Sequence, residues 1–270
     1  MLMVGALAAC SESAESDPEQ LDPIETPDDT GDDGEPVPAP SEPGTLRLVT
    51  FNIKHASESS LADVASLIRS LDPDVVALQE VDKDATRSNV VYQSYRLGQL
   101  TGMASSFRSS LQLEDGGDYG LALLSRHPIV ASSKLFLGDS GEPRTVTTWT
   151  VVVDGEELKI ANTHLSPNEG ERVEQVADLS PELADLQPLA VLGDFNEAGG
   201  AATFDAIVDL GYADSHMEAG AGPGDTFPAG LPNRRIDHVY IRSDVEVLNS
   251  QVVESEASDH RPVVVDIAQP

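Results

Sequence analysis

One cysteine, Cys10, occurs in the whole chain of 270 residues. That excludes an intrachain disulfide and any metal cluster built on cysteine. Lysine is nearly as scarce: Lys54, Lys83, Lys134 and Lys159 are the complete set. Proteins that grip long nucleic acid neutralise many phosphates with Lys and Arg, so this shortage disfavours a polymeric polyanion as the substrate. Between Met1 and Gly44 there is no basic residue at all. No internal repeat breaks the chain into small units, and no apolar run beyond the N-terminus is long enough for a transmembrane helix.

Acid dominates what is present. Asp and Glu number 47 against 16 Lys and Arg, for a formal net charge of -31. Twelve of the acids lie before Thr45, so the rest of the chain still carries 35 against 16, or -19. Such a field repels polyanions, and it also suits a secreted or salt-exposed protein kept soluble by self-repulsion.

The first ten residues, "MLMVGALAAC", are an apolar run ending in small residues before cysteine. This looks like the end of a bacterial signal peptide with a lipoprotein cleavage box. Cys10 is then the acylated first residue of the mature protein, and a complete signal is expected to begin upstream of Met1. Residues 11–44 are rich in Pro, Asp and Glu, poor in apolar residues and without periodicity, which predicts a disordered acidic tether. The catalytic domain is expected over residues 45–270, held at the bacterial cell envelope by the lipid.

From Thr45 the pattern alternates. "TLRLVTFNI" reads as a strand, "SSLADVASLIRSL" as an amphipathic helix and "DPDVVALQEV" as a turn and a buried strand. Later strands are expected in "YGLALLSRHPI", "TTWTVVVDG", "EELKIANTHL", "PLAVLGDFN", "RIDHVYIRS" and "HRPVVVDIA", with helices over Tyr92–Thr101, Glu171–Leu186 and Ala201–Leu210. Polar residues collect where strands end: Asn52, Glu80, His164, then Asp194 and Asn196. Singly, each suits a turn. Jointly they mark a rim where strand ends open onto a crevice.

In order, "TFNI", "LQEVD", "DYGLALLSRHPI", "NTHL", "GDFN", "RIDHVY" and "SDHRPV" resemble the motifs of the endonuclease/exonuclease/phosphatase superfamily, the deoxyribonuclease I-like group, from about Thr45 to Ile267. The stretch from Glu80 to Phe107 resembles its bacterial branch of metal-dependent hydrolases. The resemblance implies an α/β fold in four layers, two mixed β-sheets packed face to face with helices outside. It implies Glu80 as the metal-binding carboxylate and Asn52 as a ligand or orienter, a donor set suited to Mg²⁺ or Mn²⁺. Asp194 matches the residue that orients or deprotonates the attacking water. Asn196 matches a phosphate-binding amide, and Phe195 between them is expected to pack away.

The chain carries Asp-His twice. In "SDHRPV" the resemblance implies that His260 contacts the scissile phosphate and that Asp259 is metal-associated or supports the histidine. In "RIDHVY" it selects Asp237. Strand alternation puts Asp237, Val239 and Ile241 on one face and Ile236, His238 and Tyr240 on the other, so His238 is expected to be a packed strand residue. His164 matches a second active-site histidine, able to protonate the leaving oxygen or stabilise its charge. Tyr119, Arg144 and Arg87 are weaker candidates for the substrate side, and His55, His127 and His216 read as surface or loop residues. The implied protein is a monomeric Mg²⁺-dependent enzyme hydrolysing a small, sugar- or lipid-linked phosphate ester by in-line attack of water. Nucleic acid enters only as a substrate, in the alternative of an extracellular deoxyribonuclease; a catalytically silent binding protein on the same fold is disfavoured by the intact motifs.

Overall fold

Strand β1 (Thr45–Asn52) alternates cleanly, with Leu46 and Leu48 on one face and Val49 and Phe51 on the other, and both faces are buried. A strand covered on both sides must lie between two layers. In the computed structural model, which describes residues 44–198 and 202–270, those layers are a second sheet and a pair of helices. The lipidation candidate Cys10, and the tether up to residue 43, lie outside the described residues.

The chain continues through α1 (Leu61–Leu71), β2 (Val75–Lys83), α2 (Gln93–Thr101), β3 (Ala104–Gln112), β4 (Asp118–Ser125), β5 (Ile129–Leu137) and β6 (Arg144–Val153). It then forms β7 (Glu156–His164), α3 (Glu169–Leu186), β8 (Ala190–Asp194), α4 (Ala202–Asp209), β9 (Tyr212–Asp214) and α5 (Ser215–Ala219). Three strands close it, β10 (Asp237–Arg242), β11 (Val247–Val252) and β12 (Val263–Ala268). One six-stranded sheet has the order β11-β12-β1-β2-β4-β3, the other β5-β6-β7-β8-β10-β9.

Each sheet is antiparallel except for one central parallel pair, β1 with β2 and β7 with β8. A parallel pair needs a crossover, supplied by α1 in the first case and α3 in the second. Both helices begin with a side-chain cap. Ser60 and Asp63 form a reciprocal capping box, and the Asn168 carboxamide accepts from the N–H groups of Gly170 and Glu171.

Three apolar clusters separate four layers. Between the sheets, Leu46, Leu48, Val75, Ala77 and Leu123 meet Trp149, Val151, Ile160, Leu192 and Val239. Outside the first sheet, Val64, Ala65 and Ile68 of α1 and Leu97 of α2 pack on Val49, Phe51 and Leu78. Outside the second, Leu179 and Leu183 of α3 and Ile207 of α4 cover Ala161, Val191 and Tyr240. Each buried Val, Leu, Ile or Phe among them contributes about 1.5–3 kcal/mol relative to exposure. This is the α/β sandwich of two mixed sheets that the motifs implied.

Candidate active site

The two parallel pairs run their carboxyl ends to one end of the sandwich, and there the apolar inter-sheet positions give way to polar ones. On β1, Thr50 and Asn52 continue the row of Leu46 and Leu48; on β7, Asn162 and His164 continue that of Ile160; on β8, Asp194 continues that of Ala190 and Leu192. The ladder aligns three of them, His164 and Asp237 both pairing with Asp194. All of these side chains are buried. Gly193 permits the close approach of β7, because a Cβ there would sit 2.0 Å from the Thr163 carbonyl oxygen.

Glu80 reaches the site by breaking the alternation. Val75 and Ala77 face the other sheet while Val76, Leu78 and Val81 all face the helices, so one residue is absorbed between Leu78 and Val81, where the ladder also shifts register. This bulge leaves Glu80 at φ +57° and swings its carboxylate to the cleft mouth. Lys54, His55 and Ala56, just after β1, have φ of +46°, +44° and +55°, and Asn196 has +52°. Left-handed backbone costs a non-glycine residue about 1–2 kcal/mol. Such strain concentrates at sites whose surroundings over-determine it.

Asn52 ties the carboxylates together. Its amide oxygen accepts from the Lys54 N–H at 3.0 Å, which turns the Nδ2 group to donate to Glu80 Oε1 and Asp194 Oδ2, both at 3.0 Å. Of the two roles implied for Asn52, this orientation fits the orienter and not the metal ligand. Beneath it, Gln79 Nε2 donates to Asn162 Oδ1 at 2.7 Å and Thr50 Oγ1 at 3.0 Å, and Asn162 Nδ2 donates to the Leu78 carbonyl at 2.9 Å. These bonds lock the two half-sites in register. Gln79 and Asn162 lie within the motifs "LQEVD" and "NTHL", but the sequence alone gives neither a role.

His260 Nδ1 donates to Asp237 Oδ2 at 2.8 Å, and its Nε2 lies 3.6 Å from Asp194 Oδ2. The expectation that Asp259 supports the histidine therefore needs correction. Asp259 turns to Lys54 Nζ at 3.0 Å, the two residues lying in a bend ahead of β12 that sends their side chains to different partners. The carboxylate that serves His260 comes from the other Asp-His pair. His238 of that pair is buried on the helix side, with Nε2 donating to the Glu197 carbonyl at 3.0 Å and Nδ1 3.1 Å from Asp214.

On the other side of Asp194, His164 Nε2 lies 3.5 Å from Oδ2. Asn196 Nδ2 donates to the Leu165 carbonyl at 2.9 Å and to His164 Nε2 at 3.1 Å, so both its amide protons are engaged within the protein. Asn196 orients His164 here, whereas a phosphate bond requires one of these contacts to open. Accepting at Nε2 leaves the His164 proton on Nδ1, 3.5 Å from the Tyr119 hydroxyl. Phe195 points away and packs edge-on against Tyr240 and His238.

Electrostatics separate the two imidazoles. Burial, Arg144 and His260 hold His164 well below its ordinary value, so it is neutral. Burial also works against charging His260, but Asp237, with Asp194 and Asp259, outweighs it and pushes the ring up to about 9. Burial and Asp237 push Asp194 up to about 7, against the pull of His260 and the bonds from Asn196 and Asn52. A neutral imidazole and an imidazolium thus flank a carboxyl group poised near neutrality. A neutral His164 keeps its N–H, which suits the charge-stabilising alternative of its two implied roles.

The weaker candidates sit around this core. Tyr119 borders His164, and burial with Glu80 raises its hydroxyl well above the ordinary phenol range. Arg144 is buried beside Tyr119 and His164, with Nη2 3.0 Å from Glu142. Arg87 binds the buried Asp82 through Nε at 2.8 Å and Nη2 at 2.7 Å and lies over the Tyr119 ring at 5.2 Å, so it buttresses that ring.

Two donor groups have the composition to hold a divalent ion. Asp194, Asp237 and His260 bring ligand atoms within 4.8 Å of one another, but His260 already donates from Nδ1 to Asp237 and points Nε2 at Asp194 from 3.6 Å. Glu80 differs, being part-exposed with Oε1 held by Asn52 and Oε2 turned toward His55. A hard carboxylate at a cleft mouth fits such an ion.

A family model for the endonuclease/exonuclease/phosphatase family matches residues 49–260. The protein YbhP of Escherichia coli is 27% identical over 227 residues, spanning 77% of this chain and 88% of that protein. The crystal structure of an endonuclease/exonuclease/phosphatase from Beutenbergia cavernae superposes with a TM-score of 0.71 at 26% identity, covering 83% of this chain and 71% of that one. The mannosyl-6-phosphatase of Bacteroides thetaiotaomicron superposes with the same TM-score of 0.71 at 19% identity, covering 83% and 100%. With its motifs, its two sheets and the match across most of its length, the chain belongs to the endonuclease/exonuclease/phosphatase family.

Proposed function

We propose that this hydrolase is a Mg²⁺- or Mn²⁺-dependent phosphoesterase acting on a small or lipid- or sugar-linked phosphate ester. The observation that carries the reading is Asp194, whose Oδ2 lies 3.5 Å from His164 and 3.6 Å from His260. Deprotonated, it takes a proton from the attacking water. The His260 imidazolium, steered by Asp237, donates through Nε2 to a phosphate oxygen as negative charge develops there. The neutral His164, its Nε2 accepting from Asn196 and its proton on Nδ1, holds the opposite side of the site, and the ester oxygen departs as its P–O bond breaks and takes its proton from solvent. Glu80 would hold the ion, with Asn52 aligning its carboxylate. When bound, a divalent ion polarises the phosphoryl group and offsets its charge. The domain charge of -19 supports a compact substrate over a long polyanion. One structural relative, at 19% identity, is a mannosyl-6-phosphatase, which agrees with a sugar phosphate.

The cell-envelope location remains part of this reading, with Cys10 as the acylated residue and the acidic tether as the spacer. The test of the activity is a phosphate-release and nuclease screen of purified full-length protein with Mg²⁺ and Mn²⁺, with and without chelator, alongside Glu80→Gln. Chelator-sensitive release from small esters, abolished by Glu80→Gln, is expected. Turnover that survives both treatments overturns the reading.

A further inference from the structure

The strained turn after β1 delivers a side chain to the metal carboxylate. Lys54, His55 and Ala56 are three successive left-handed residues, and none is glycine. The turn is fastened from several directions: Lys54 N–H donates to Asn52 Oδ1 at 3.0 Å, Ala56 N–H to the Ile53 carbonyl at 2.8 Å, and Gln93 Nε2 to the His55 carbonyl at 2.7 Å. Its effect is to set His55 Nδ1 4.0 Å from Glu80 Oε2. That nitrogen is buried and has no hydrogen-bond partner among the described residues. At 4.0 Å it does not bond the carboxylate directly.

Glu80 is itself left-handed, thrown out of β2 by the bulge. A strained turn after β1 and a strained position on the neighbouring β2 therefore bring one nitrogen donor and one oxygen donor to the same place. The cations nearby are committed elsewhere, Lys54 to Glu58 and Asp259 and Arg87 to Asp82. A separation of 4.0 Å is within the reach of two ligands sharing one ion, each at roughly 2.0–2.2 Å.

We propose that His55 is a ligand of the divalent ion held by Glu80, and that this imidazole shifts the site's preference from Mg²⁺ to Mn²⁺. Mg²⁺ takes oxygen donors and keeps its waters, whereas imidazole suits the later first-row ions. The proposal rests on the reading of Glu80 as the metal carboxylate. It gives a role to a histidine that the sequence alone places at the surface.

Pulsed EPR of the Mn²⁺-loaded full-length protein detects the ¹⁴N coupling of a coordinated imidazole directly. The wild type is expected to show that coupling, and His55→Ala and His55→Gln to lose it. Calorimetric titration is expected to give a loss in Mn²⁺ affinity of about tenfold or more in both variants, the scale on which supporting groups act at metal sites. Mg²⁺ affinity should change much less. Using Gln as well as Ala keeps the test alive if one variant fails to fold, as judged by circular dichroism. Absence of ¹⁴N coupling in the wild type, its persistence in the folded variants, or equal losses for both ions overturns the assignment. Glu80→Gln separates the two levels: if it leaves Mn²⁺ affinity untouched, the metal site itself is misplaced, and not merely its histidine.

Discussion

His260 takes its carboxylate partner from Asp237, 23 residues away, and not from Asp259 beside it. The bond is 2.8 Å long and both partners are buried, while Asp259 pairs with the part-exposed Lys54. Position in space ranks these two acids in the opposite order from position in sequence. Asp237→Asn is expected to lower kcat/KM by about 10²–10⁴, the range for a disabled proton-transfer or charge-stabilising group. Asp259→Asn should cost no more than about fivefold, since a part-exposed ion pair is worth about 1 kcal/mol or less. Steady-state kinetics on folded variants checks this, and equal losses would contradict the geometry.

The charge states around Asp194 set a pH profile. Asp194 must be ionised to accept a proton, and it is pushed up to about 7; His260 must remain protonated to donate, and it is pushed up to about 9. Activity should therefore rise as pH passes about 7 and fall as it passes about 9. Asp237→Asn removes the main group that raises His260, so the alkaline limb should move to lower pH. The profile of kcat/KM against pH at fixed saturating metal measures both effects. An alkaline limb that stays put in Asp237→Asn would count against His260 as its source.

How far the site is legible in sequence follows from where its parts lie. The eight strands anticipated, β1, β2, β4, β6, β7, β8, β10 and β12, are the interior strands of the two sheets. The four that the pattern does not reveal, β3, β5, β9 and β11, are the four edges. Interior strands must bury both faces and so read as apolar runs, whereas an edge such as "ASSFRSSLQ" carries serine and arginine along a half-covered ribbon. Site residues at the ends of interior strands are legible for the same reason. His55 is not, because its place depends on a left-handed turn that no glycine announces. The partner of His260 is likewise hidden, being set by the packing of one sheet on the other, with Asp237 on β10 and His260 ahead of β12, rather than by adjacency.

A second buried network stabilises the fold without touching the chemistry. Asp214 accepts from Arg235 at 2.7 Å and lies 3.1 Å from His238, whose Nε2 holds the Glu197 carbonyl. Although burial alone would raise the Asp214 carboxyl, His238 and Arg235 hold it at about 2, below the ordinary 3.8. The folded state thus binds its proton less readily than the unfolded one. The stabilisation, on the order of 2 kcal/mol, is present above pH 3.8 and is lost as pH falls through about 2. Asp214→Asn should lower the urea midpoint at pH 7, with the gap to wild type closing in that acid window. A gap independent of pH would rule out the ionic origin.

The envelope assignment has its own test. If Cys10 carries lipid, the protein expressed with a complete upstream signal in an export-competent bacterium should fractionate with membranes. Cys10→Ser should release it and remove the added mass from the mature N-terminus. Unmodified wild-type protein in the soluble fraction would defeat the proposal.

Substrate choice should follow from charge. A long duplex brings phosphates at every step along its axis, and each one not neutralised by protein meets a domain of net charge -19. In the proposed reaction a compact ester presents a single phosphate, to be met by His260 and by the ion that Glu80 would hold, with Arg144 buried alongside. Repulsion between the domain and a polyanion is long-ranged at low salt and screened over about 10 Å at 0.1 M salt, so any DNA cleavage should gain relative to small-ester turnover as salt is raised. Short phosphodiesters, sugar phosphates and phospholipid head-group esters are compared with duplex and single-stranded DNA by kcat/KM at two ionic strengths and constant Mg²⁺. The expected result is a preference for a small ester, widest at low salt. DNA cleaved far more efficiently than every small ester at both salt levels would replace the phosphoesterase reading with an extracellular deoxyribonuclease.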